Sequence, residues 1–125
     1  MYHGILIDQE FTDKSFPKSF KVFNKKQDGS WGVFGIEIED SQLEDSIKKI
    51  QVNMRADKPW YAHLYNDNQL IVIFKNKVFR VESYISSWKP IIDYGKELKI
   101  PEEQLDFWPN RFQDESHYFS DGNLK

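Results

Sequence analysis

The stretch Trp60 to Glu82, WYAHLYNDNQLIVIFKNKVFRVE, constrains the fold more than any other part of the chain. Within WYAHLY the residues alternate, so a strand sends Trp60, Ala62 and Leu64 to one face and Tyr61, His63 and Tyr65 to the other. The first face is apolar; the second is polar and aromatic. Asn66-Asp67-Asn68 tolerates left-handed backbone, and Lys75-Asn76-Lys77 separates the apolar run LIVIF from the alternating VFRVE, so both breaks read as hairpin turns. Three consecutive antiparallel strands are predicted.

A similar pattern precedes them. YHGILID (residues 2–8) and FKVFNK (residues 20–25) read as strands, and the Asp28-Gly29 turn signal leads into WGVFGIEIE, which alternates Phe34, Ile36 and Ile38 against Val33, Glu37 and Glu39. Ser41-Gln-Leu-Glu44 matches a capping box, after which Leu43, Ile47, Ile50 and Met54 form one apolar helical stripe. Trp88, Ile91, Ile92, Gly95 and Leu98 recur at helical spacing, with Ser86 or Ser87 as cap and Pro90 in the first turn. Pro101 restarts a short helix that Trp108-Pro109 stops. Beyond Phe112 no apolar periodicity remains, and 113–125 reads as a flexible acidic tail after a single domain spanning 1–112.

The element order is βββα followed by βββα(α). Hairpin-linked strands are antiparallel, so the expected fold is α+β, a mainly antiparallel sheet with its two main helices on one face and the polar face left open. A two-fold internal repeat and a ferredoxin-like arrangement are the alternatives.

Composition removes whole classes of function. No cysteine is present, which excludes disulfides, thiol catalysis, Cys-ligated zinc and iron–sulfur clusters. The first residues carry no signal-peptide h-region and no segment approaches membrane-spanning length, so a cytoplasmic protein without a membrane partner is expected. Residues 1–100 hold 15 Lys and Arg against 14 Asp and Glu, whereas 101–125 hold 2 against 6. A body so nearly neutral argues against nucleic acid as partner. The local basic group Lys18, Lys21, Lys25 and Lys26 reads as protection of a strand edge.

The strings WYAHLYN, LIVIFKNKVFRV and YGKELKIPEEQLDFWP between Trp60 and Pro109 resemble a family of small uncharacterised prokaryotic single-domain proteins of about this length. The resemblance implies a free-standing cytoplasmic domain and carries over no activity and no site residue.

Candidate chemistry is concentrated on the polar strand face. Tyr61, His63 and Tyr65, with Arg80 and Glu82 on a neighbouring strand, would combine a stacking surface, a titratable ring and charged anchors for a small molecule or a protein partner. A catalytic version uses His63 as acid or base, Arg80 to stabilise an anion, and Glu37, Glu39 or Glu82 as orienting carboxylates. Glu37 and Glu39, two apart on one strand, also have the spacing of a carboxylate pair. His3, His63 and His117 show no HxH, HxxxH or HExxH spacing and no nucleotide-binding glycine motif occurs, so neither metal nor cofactor is expected. Tyr61, Tyr65, Phe23 and Trp31 would suit base stacking, but lack a basic surround. Burial of the open face against a second copy would give a homo-oligomer.

Overall fold

Each turn signal in the sequence produces a hairpin in the structure, a computed structural model that describes residues 1–120. The strands are β1 (Tyr2–Ile7), β2 (Lys21–Asp28), β3 (Trp31–Ile38), β4 (Tyr61–Tyr65), β5 (Gln69–Phe74) and β6 (Lys77–Glu82), and the helices are α1 (Leu43–Asn53), α2 (Lys89–Glu97) and α3 (Glu115–Ser120). All six strands form one antiparallel sheet in the order β2-β3-β1-β4-β5-β6. The fold is α+β. Its two halves each contribute three strands but in different orders, 2-3-1 and 4-5-6, so they are not copies of one motif, and the sheet is not ferredoxin-like.

The helices do not share a face. Leu43, Ile47, Ile50 and Met54 pack from α1 onto Leu6, Phe34, Ile36, Leu64, Ile71 and Ile73. Ile91 of α2, together with Ile100, Leu105, Phe107 and Phe119 beyond it, covers Ile5, Val33, Tyr65, Leu70, Val72 and Phe74 on the opposite side. The physical reason lies in β5: LIVIF is apolar at every position, and a strand buried on both faces needs a layer on each. The sheet therefore has no open polar face, and the expectation of two helices on one side is corrected.

Helix starts also differ from expectation. Ser41 does not cap α1: a 3₁₀ turn (Asp40–Gln42) precedes the helix, and Glu44 turns outward to receive both terminal nitrogens of Arg80, each at 2.7 Å. Ser87 hydrogen-bonds the carbonyls of Glu82 and Tyr84 and leaves the start of α2 uncapped. The helix expected after Pro101 is one 3₁₀ turn, Glu102–Gln104, followed by irregular chain in which Phe107 has a φ of 47°.

The segment read as a tail from 113 is folded through residue 119; residues 121–125 of that tail lie outside the described residues. Phe119 is buried, and Glu115 accepts a hydrogen bond from the Tyr65 hydroxyl while standing 2.6 Å from His3 Nδ1. Gly35 explains why α3 can dock. A Cβ there would stand 2.7 Å from ring carbons of both Phe23 and Phe119, so only glycine lets the two rings rest on β3. Phe23 itself is placed by a bulge, where the β2–β3 register skips between Val22 and Asn24.

Among the described residues, no helix is long and apolar enough to cross a membrane.

Candidate functional site

Where β1 pairs with β4, the chain from residue 98 to 119 passes over them and encloses a cavity of about 340 Å³. Its floor is built by strand alternation: Ile5 and Ile7 of β1 and Tyr61 and His63 of β4 point to the same side. Trp31, at the start of β3, and Trp60, just before β4, meet edge to face at 5.6 Å and form one wall. Trp108 and Tyr118, 5.4 Å apart and also edge to face, come from the overlying segment. The Tyr61 hydroxyl donates to the Gln104 carbonyl and ties that segment to the floor.

Three of the four tryptophans of the chain line this one cavity. Four carboxyl groups line it as well, those of Glu10, Asp28, Glu103 and Asp106, and no lysine or arginine does. Glu10 is the group least accounted for by stability. It is 2% exposed, its only hydrogen-bond donor is the Ile7 amide at 3.2 Å, and no cation pairs with it among the described residues. Burial pushes its carboxyl well above the usual carboxylate range, with the negative charge of Asp8 adding to the rise and the Ile7 amide opposing it. A buried acid lacking a counter-ion destabilises a fold, and such groups gather at sites of binding or catalysis.

His63 is neutral for the same reason. Burial lowers its pKa to about 4, against the smaller upward pulls of the Pro109 carbonyl and Asp106. Its Nε2 lies 2.7 Å from that carbonyl oxygen, which can only accept, so Nε2 carries the proton and Nδ1 remains an acceptor. Tyr118 is pushed up to about 12 by burial and by Asp28, Asp106 and Glu10 in turn. Tyr61 is raised likewise, by burial and then by Asp106 and Glu10. Both phenols thus feel the same carboxylates, as groups around one anionic space should.

The other residues singled out in the sequence are dispersed. Tyr65 shares the face of Tyr61 and His63 but is buried, its ring stacked on His63 at 5.8 Å and its hydroxyl bound to Glu115. This aromatic face lies beneath the C-terminal segment, so it is not a surface that a second copy would bury. Arg80 belongs to the α1 side, where its register partner is Ile71 and its ion-pair partner Glu44. Glu82, at the end of β6, receives the Tyr84 hydroxyl at 2.7 Å. Glu37 faces His3 and Lys21, at 3.7 and 3.2 Å, and Glu39 is exposed just past the end of β3. The five-residue constellation is therefore reduced to Tyr61 and His63 at the cavity, with Arg80 on the other face of the sheet.

No family model, curated protein or solved structure matches the chain. The chemistry of the cavity accordingly stands on its own residues. Those that pattern reading passed over are Glu10, Trp60, Asp106, Trp108 and Tyr118. The available signal was the tryptophan content, since large aromatics spread over loops and strand ends are not explained by a periodic core alone. Among the described residues, no group of three or more His, Asp or Glu side chains converges as a metal site would require.

Proposed function

We propose that this chain is a cytoplasmic ligand-binding domain whose cavity takes a compact organic cation, such as an alkylated amine. One observation carries the reading: aromatic rings and carboxyl groups line the cavity together with no lysine or arginine among the lining residues, the nearest cation being Lys26, whose Nζ lies 3.8 Å over the Tyr118 ring and leaves the tryptophan rings to a ligand. Ring faces attract a cation by about 0.5 to 2 kcal/mol each, most strongly when water is excluded. The Glu10 carboxyl supplies the remaining charge, because an entering cation favours its ionised form and provides the counter-ion that the fold omits.

The position of His63 favours binding over acid–base catalysis. A ring with a pKa of about 4 that is held by a carbonyl is a weak base, whereas its Nδ1 can accept one N–H from a ligand. Isothermal titration calorimetry with tetramethylammonium, choline and the neutral isostere 3,3-dimethylbutanol tests the proposal. Both cations should bind at least about tenfold more tightly than the alcohol, a difference of about 1.4 kcal/mol. Trp108→Ala, a change at a partly exposed ring, should weaken the cations selectively. Equal binding of the alcohol, or no heat from any cation at about 10 mM, would overturn it.

A further inference from the structure

A second depression adjoins the cavity at Trp108. Asp106 and Trp108 also line a broad trough of about 830 Å³ that runs toward the end of β6. Asp67, Glu82, Asp106 and Asp114 supply its carboxylates, and its single base, Arg111, is already paired with Asp114 at 3.1 Å. Tyr84, Ile85 and Trp108 stand 55%, 73% and 37% exposed along it, an unusual concentration of large apolar groups in contact with water. Asn68, Ser83 and Asn110 add hydrogen-bonding groups.

We propose that this trough is a docking surface for a basic, extended peptide segment of another protein, whose cationic side chain, best of all an alkylated lysine, reaches past Trp108 into the cavity. The inference rests on the cation reading of the cavity and names the partner that presents the cation. Charge complementarity selects the partner: with Arg111 and Asp114 cancelling each other, the carboxylates of Asp67, Glu82 and Asp106 remain, and they attract a basic chain and repel nucleic acid and anionic membranes. Adjacency supports it as well, because Asp106 and Trp108 border both the cavity and the trough. A bare alkylammonium ion would leave Tyr84 and Ile85 in water, whereas a peptide covers them.

The test titrates the full chain with three probes: N-acetyl-trimethyllysine methylamide, a short peptide with trimethyllysine flanked by Lys and Arg, and the same peptide with Glu flanks. The basic peptide should bind at least about tenfold more tightly than the amino-acid derivative, and the acidic-flank peptide more weakly than the basic one. Glu82→Lys, at an exposed position, should bring the basic peptide down to the affinity of the derivative and leave the derivative unchanged; amide spectra of the variant report its folding. If the derivative binds and flanking residues add nothing, the trough proposal fails while the cavity reading stands. If the basic peptide binds in a manner sensitive to Glu82 but the derivative does not bind, the cavity reading fails and the trough remains. Failure of all three probes overturns both.

Discussion

Acidification should weaken this fold through one identifiable ring. His63 is 4% exposed and its pKa is lowered from 6.5 to about 4 in the folded chain, so the unfolded chain takes up a proton that the native state refuses. Stability contributed by the neutral ring is complete above about pH 6.5 and is lost as pH falls toward 4. A difference of about 2.5 pKa units at about 1.4 kcal/mol each corresponds to roughly 3 kcal/mol over that window. Glu10 works in the opposite direction, because an acid whose pKa is raised by folding gives most stability at low pH and loses it as pH rises above 4.5. Wild-type data alone would therefore mix two opposed slopes. Comparison with His63→Gln, which retains an N–H for the Pro109 carbonyl and has no titrating ring, separates them. Urea unfolding at intervals between pH 7 and 4 should show the wild-type chain losing about 3 kcal/mol relative to the variant. Parallel stability curves, or a directly titrated His63 pKa above 6, would refute the reasoning.

Further outcomes concern the core and the cavity. Glu10→Gln should raise the unfolding free energy at neutral pH and flatten its fall above pH 4.5 while weakening cation binding, all measurable on one variant by denaturation and calorimetry. Ile50→Ala should lose about 2 to 5 kcal/mol, since the side chain is fully buried between α1 and the sheet. Phe119→Ala should cost about 3 to 5 kcal/mol in urea unfolding through the space left above Gly35 and beside Phe23, and a near-neutral result would mean that α3 does not hold the overlying segment in place.

The sequence made the strands legible because side-chain alternation is a local property, and five of the six appear within a residue of the expected positions, whereas β2 runs three residues further, to Asp28. The stripe on α1 was legible on the same grounds. The second layer on the far side of the sheet was not, although LIVIF held the cue: a run with no polar position has no solvent face. Residues 113–119 escaped notice because a six-residue helix shows too little periodicity, and Phe119 is buried through a glycine more than eighty residues away in the chain. The candidate site was half legible. Alternation placed Tyr61 and His63 together, whereas Arg80 needed the β5–β6 register, in which it lies opposite Ile71 rather than Val72. Glu10 had no local signature, because nothing around it in the chain distinguishes a buried carboxyl from an exposed one.

The strand order has a consequence for the sequence of events in folding. β1 lies at the centre of the sheet, its partners being β3 from residue 31 and β4 from residue 61. During synthesis, then, β1 waits longer than any other inner strand for its second partner, because that edge stays open until Tyr65 has emerged. In that interval Ile5 and Leu6 sit on an unpaired apolar edge, the kind of surface on which nascent chains associate wrongly. Pairings so distant in the chain also slow closure of the sheet. The antiparallel order that gives the mature protein a continuous floor for its cavity thus leaves the growing chain dependent on delay, and places its greatest exposure to misassembly early rather than late.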